Sequence, residues 1–113
     1  MANALPELCG EIDHATAEAF RSGLYQVIDG ADAPIVPIDL AAVTFIDSAG
    51  YHALVAADQY AIRNDHIMVI ANLSKQCAKL VRLCDRANQL YLEDGIPTPT
   101  AALAHASRFT SER

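Results

Sequence analysis

Tryptophan is missing from this 113-residue chain, and aromatic residues of any kind make up only 6% of it. The interior must therefore be built from alanine, leucine, isoleucine and valine. At 52% hydrophobic and 19% charged residues, there is enough of that material for one packed core. A single domain over residues 1–113 is expected. No apolar stretch approaches the roughly 20 residues of a membrane helix, so no membrane partner is expected. The opening Met1-Ala2-Asn3-Ala4-Leu5-Pro6-Glu7 has neither the basic nor the apolar region of a secretion signal, which points to the cytoplasm. Bases are scarce: eight against fourteen acids leave a net charge of −6. Nucleic acid is thereby disfavoured as a partner, because neutralising phosphates takes a basic surface. Cys9, Cys77 and Cys84 are odd in number and lack metal-ligand spacing, so they read as buried thiols. There is no glycine-rich phosphate loop, no His/Cys/Asp metal cluster and no internal repeat. Neither a metal nor a cofactor is expected.

What is present alternates. Leu5 to Ile12 is a short strand with Pro6 near its start, and Asp13 is a plausible N-cap for a helix running to Ile28 with Ala17, Phe20, Leu24, Val27 and Ile28 on one stripe. Gly30 closes that helix. Ile35 to Ile46 reads as a strand buried on both faces, with a separate short strand for its second half as the alternative. Ala49 to Arg63 reads as a helix with His52, Ala56, Gln59 and Arg63 on one strip that faces solvent or a partner. A turn at Asn64-Asp65-His66 leads to a buried strand, Ile67 to Ala71. Asn72 or Ser74 caps a helix to about Arg86, with Cys77, Leu80, Val81 and Cys84 inward and Lys75, Lys79, Arg82 and Arg86 outward. A short strand at Leu90 to Leu92 and a last helix from about 98 to 108, opened by Thr98-Pro99, complete the chain. This order predicts an α/β domain with a largely parallel sheet. Charge is divided along it: residues 1–56 hold eight acids against Arg21 alone. An acidic patch for a basic partner and a plain solubilising surface both fit that imbalance.

The stretch Asp39 to Gly50 carries the chemistry. An apolar run ends on Asp47-Ser48-Ala49-Gly50, where the following helix leaves its first N–H groups unpaired and its dipole positive. Ser48 suits either of two roles there, an N-cap hydroxyl or a phosphate acceptor. A phosphate on it could take first-turn N–H groups while adding about −1.5 to −2 charges beside Asp47, a switch without unfolding. An enzyme is not expected. His52 is the only histidine nearby, and a hydrolase would also need an orienting third group and an oxyanion hole, while residue 46 is Ile and breaks any Gly-x-Ser-x-Gly pattern.

Two blocks add a resemblance. Gly10-Glu11-Ile12-Asp13 with the helix after it is similar to the Gly-Glu-Leu-Asp stretch of STAS domains. Ile38-Asp39-Leu40 through Phe45-Ile46-Asp47-Ser48-Ala49-Gly50 is similar to their central strand and Asp-Ser-x-Gly switch. The likeness covers about residues 8–92 and is strongest to bacterial anti-sigma-factor antagonists of sporulation and stress control. It implies a mixed, largely parallel β-sheet with helices packed mainly on one side. It further implies that the unphosphorylated protein binds an anti-sigma factor with serine kinase activity. Phosphorylation of Ser48 would switch it off, and a metal-dependent serine phosphatase would reverse this. The site residues that carry over are Ser48 with Asp47, Ala49 and Gly50 around it, and Asp13 and Asp39 at neighbouring motif positions; read by themselves, these last two favour structural roles, an N-cap for Asp13 and a strand-end polar residue for Asp39. Ala49 stands where a second serine is frequent, Tyr51-His52 replaces a commoner apolar residue, and the chain before Leu8 is short for the opening strand or hairpin of many members. STAS domains also serve as accessory subunits of ABC-type lipid transport systems. In that alternative Ser48 and the strip His52, Ala56, Gln59 and Arg63 would dock an ATPase subunit with no phosphorylation cycle.

Overall fold

Short β-branched runs separated by amphipathic stretches of 10–16 residues dictate strands and helices in turn. The computed structural model describes residues 8–85, 90, 92 and 93. In chain order these are β1 (Gly10–Ile12), α1 (Ala17–Asp29), β2 (Ile35–Asp39), β3 (Val43–Ile46), α2 (Ser48–Arg63), β4 (Ile67–Ala71), α3 (Lys75–Cys84) and β5 (Leu92–Glu93). The last helix expected at about 98–108, Arg86 and residues 1–7 lie outside the described residues.

Every strand pair among the described residues is parallel, in two sheets ordered β1-β3 and β2-β4-β5. The split lies inside the run Ile35 to Ile46. Ile35 through Asp39 pair in register with Ile67 through Ala71, and Leu40 N–H still reaches Ala71 O at 2.9 Å. Asp39 then ends the ladder: its carboxylate accepts Ala41 N–H at 3.0 Å and Asn72 Nδ2 at 3.2 Å. After this turn the backbone changes partner, and Val43 and Ile46 lie opposite Gly10 and Ile12. The second half is thus a separate strand: the Asp39 carboxylate holds Ala41 N–H in a local turn, and beyond it β1 replaces β4 as the partner. Gly10 sits at a register shift with φ +77°, a conformation that favours glycine.

One core lies on one face of β2 and β4. Phe20, Leu24 and Ile28 of α1, Leu54, Ala57 and Ala61 of α2, and Cys77 and Val81 of α3 all join Val36, Ile38, Met68 and Ile70 there. All three described helices therefore cover the same side of the strands. The opposite side of β4 carries a small cluster of Ile67 and Val69 with Ile35, which is why the Ile67 to Ala71 run is apolar without alternation. Each such buried Leu, Ile or Val contributes about 1.5–3 kcal/mol from burial. Gly23, Ala57 and Ala61 are buried on α1 and α2, and small side chains allow the two helices to approach closely. Farther out, Tyr25 and Tyr60 stack at 4.1 Å between ring centroids, and the Tyr60 hydroxyl donates to Asp29 at 2.5 Å, which raises the Tyr60 pKa above its usual value.

Three local expectations are corrected. Asp13 does not cap α1. Its carboxylate accepts Ala15 N–H at 2.9 Å and Thr16 N–H at 3.2 Å in a turn that delays the helix to Ala17, with Thr16 in the cap position. Cys9 is exposed, because Leu8 takes the inward position beside it, and Cys84 is half-buried; Cys77 alone of the three is buried. Between the two candidate caps of α3, Ser74 accepts Cys77 N–H at 3.2 Å, while Asn72 takes a left-handed φ of 61° and bonds Asp39 instead.

Candidate functional site

The first turn of α2 is seated on the ends of β1 and β3. Asp47 N–H donates to Ile12 O at 3.1 Å, so the residue that leaves β3 is tied to the last residue of β1. Asp47, in extended conformation, is the N-cap: its Oδ1 accepts Ala49 N–H at 2.9 Å and Gly50 N–H at 3.2 Å. The N-cap role proposed for Ser48 is thereby filled by its neighbour, since a carboxylate is a stronger acceptor at the positive helix end than a hydroxyl. Ser48 is the first helical residue, exposed, and its hydroxyl makes no hydrogen bond among the described residues.

Gly50 explains how closely the turn is seated. A Cβ there would overlap Ile46 Cγ1 and stand 2.9 Å from Ile12 Cγ2 and 3.0 Å from Ile46 Cδ1. Only a residue without a side chain lets the helix start rest on both isoleucines. Ser48 is consequently presented from a packed frame and not from a mobile loop.

The parallel register brings most of the sequence-predicted residues to one edge. Ile12 lies opposite Ile46, so Asp13 and Asp47, the residues that follow them, leave the two strands at the same end. Ala49 is half-buried and Gly50 buried. Ser48 heads a stripe that continues through His52, Ala56, Gln59 and Arg63; three of these four are exposed and Ala56 is half-buried. Over the 16 residues of α2 the stripe spans roughly 24 Å. Asp39 is not brought to this edge. It precedes β3 where Asp47 follows it, so the four residues of β3, roughly 13 Å of strand, separate it from the switch end.

Two nearby residues escaped the sequence reading. Phe45 is 49% exposed opposite Glu11, although Ile35 to Ile46 was expected to be buried on both faces. β3 buries only its first and last residues, and the burial order of Val43, Thr44, Phe45 and Ile46 follows no simple alternation that could have shown this. Tyr51 points the other way. It is 8% exposed, and its hydroxyl donates to Asp85 Oδ1 at 2.9 Å while Asp85 Oδ2 accepts Leu90 N–H at 2.9 Å. Burial first, and then the bond to the carboxylate, push the Tyr51 phenol up to about 12. The His52 ring lies tilted against Tyr51 at 5.4 Å, and no hydrogen bond joins it to Ser48 among the described residues.

The arrangement offers an exposed hydroxyl at the positive end of a helix, with the cap already supplied by a carboxylate. A phosphate on Ser48 would not find Ala49 and Gly50 N–H free, as the sequence suggested, because Asp47 holds both. It would add charge beside an existing carboxylate, and the surface would change more than the fold.

The fold is an α/β domain of parallel strands that presents an exposed serine at a helix start. The chain belongs to the STAS-domain family, whose model matches residues 7–96. It is similar in fold to the solved structure of the anti-sigma factor antagonist SpoIIAA in its unphosphorylated form, with a TM-score of 0.53 and 18% sequence identity over 85% of this chain and 81% of that one. None of the described helices is long and apolar enough to cross a membrane.

Proposed function

We propose that this protein is an anti-sigma-factor antagonist, switched at Ser48. In the unphosphorylated form the surface formed by Asp47, Ser48, Ala49 and the strip down to Arg63 binds an anti-sigma factor with serine kinase activity. Phosphorylation of Ser48 by that partner ends the interaction, and a serine phosphatase restores it. The protein itself is a regulatory binding module of transcription and stress control in a bacterial cytoplasm, not an enzyme.

One observation carries this. The Ser48 hydroxyl is exposed and unbonded among the described residues while Asp47 caps the helix, so the serine is dispensable to the fold and open to a kinase. The likeness in fold to an anti-sigma factor antagonist supports the same reading.

The test is incubation with the candidate anti-sigma kinase and ATP, followed by intact mass and peptide mapping. A single phosphate on Ser48 is the expected result, and modification elsewhere overturns the assignment. Binding of the kinase should survive Ser48→Ala and weaken in Ser48→Asp. Equal affinities for wild type and both variants would sink the charge switch, and co-purification with an ATP-binding-cassette subunit in place of a sigma regulator would replace this reading with the transport alternative.

A further inference from the structure

The outward face of α3 carries a second feature that the Ser48 switch does not use. Lys75, Lys79, Arg82 and Leu83 fall at i, i+4, i+7 and i+8 of one helix, and all four are exposed. A groove of about 520 Å³ runs beside them, lined also by the buried Leu73 and Ala78. Leu83 stands 66% exposed at its rim, which makes it the most exposed large apolar side chain among the described residues. None of the three cations has an ion-pair partner among the described residues, and α3 contains no acid.

For a helix serving only the core this composition is unfavourable. Like charges at i, i+4 and i, i+3 repel one another, and Lys75 stands in the first turn, where the helix dipole disfavours a cation. Three of the chain's eight bases are concentrated here in a protein of net charge −6. We infer that this groove docks an acidic protein segment bearing a large apolar side chain. Its carboxylates meet Lys75, Lys79 and Arg82, and the apolar group enters against Leu73, Ala78 and Leu83. An anionic bilayer fits less well, because a flat surface meets the crest of a helix and not a concavity beside it, and the acidic remainder of the chain is repelled. The proposal does not rest on the Ser48 reading.

The probe is a short dye-labelled helical peptide of glutamate with leucine along one face, titrated into the full chain and followed by fluorescence anisotropy. Saturable binding that weakens with salt is expected, with the amide shifts mapped by NMR confined to α3 and Leu73. Lys79→Glu combined with Arg82→Glu should lower the affinity at least about tenfold, and Leu83→Ser should lower it without changing the salt dependence. Circular dichroism checks that each variant is folded; all three positions are exposed. Equal binding of a lysine-for-glutamate peptide, unchanged affinity in the variants, shifts elsewhere, binding to anionic vesicles but not the peptide, or no binding would each overturn it. Ser48→Asp is scored against the kinase and these variants against the peptide, so the two proposals can fail separately.

Discussion

The phenol of Tyr51 donates a 2.9 Å hydrogen bond to the carboxylate of Asp85, 34 residues away in sequence. This bond fastens the first turn of α2, which presents Ser48, to the residue that ends α3. It also sets an alkaline limit. In the unfolded chain a tyrosine loses its proton near 10, whereas folded Tyr51 holds it to about 12. The folded state binds the extra proton, so the stability this gives is fully present below pH 10 and is lost as pH rises toward 12. Ultraviolet titration should show a late tyrosinate component near pH 12 that Tyr51→Phe removes. The same variant should lose about 1–2 kcal/mol at neutral pH, read by urea unfolding, and should lack the steep fall in stability above pH 10. An unchanged late component would show that Tyr51 does not face Asp85 in solution.

Gly50→Ala tests how the switch is seated. The added methyl would overlap Ile46 and approach Ile12 Cγ2 to 2.9 Å, with both isoleucines buried in the core. Helix propensity alone favours alanine by about 1 kcal/mol. Overpacking should win, with a net loss of about 1–3 kcal/mol by urea unfolding. A stabilised variant would mean that α2 can lift away from β1 and β3.

Asp39→Ala separates a structural from a partner role. Its carboxylate holds Ala41 N–H and Asn72 Nδ2 at the break between β2 and β3, so its removal should cost about 1 kcal/mol. Affinity for the anti-sigma kinase should not change, because β3 stands between this residue and Ser48. A large affinity loss at unchanged stability would place Asp39 in the binding surface.

The elements that sequence patterns exposed are those whose side chains obey one period. Phe20, Leu24 and Ile28 face one way along α1, and Ile67 to Ala71 is apolar throughout because β4 is covered on both sides. What stayed hidden depends on partners distant in the chain. The run Ile35 to Ile46 looks continuous, yet it changes sheets at Asp39 because β4 runs out opposite it and β1 begins opposite Val43. Asp13 and Ser48 both look like caps. Asp13 instead closes a turn that leaves Thr16 at the start of α1 without a side-chain cap bond, and at α2 the Asp47 carboxylate reaches the Ala49 and Gly50 N–H groups. Tyr51 gave no sign of burial because its partner lies at the far end of another helix.

Asp47 and Ser48 should separate cleanly in their effects on stability. Asp47→Ala removes the acceptor for Ala49 and Gly50 N–H and should cost about 1–2 kcal/mol. Ser48→Ala removes an exposed hydroxyl without a hydrogen bond among the described residues and should change stability by less than about 0.5 kcal/mol. Ser48→Asp adds a negative charge at a helix N-terminus, worth about 0.3–1 kcal/mol, opposed by repulsion from Asp47 at the next position. Its stability should therefore stay near wild type while its affinity for the kinase falls. That combination distinguishes a surface switch from an unfolding one. If Ser48→Asp instead lowered the urea midpoint as far as Asp47→Ala does, phosphorylation would act by loosening the first turn of α2, and loss of binding would be a consequence of lost structure.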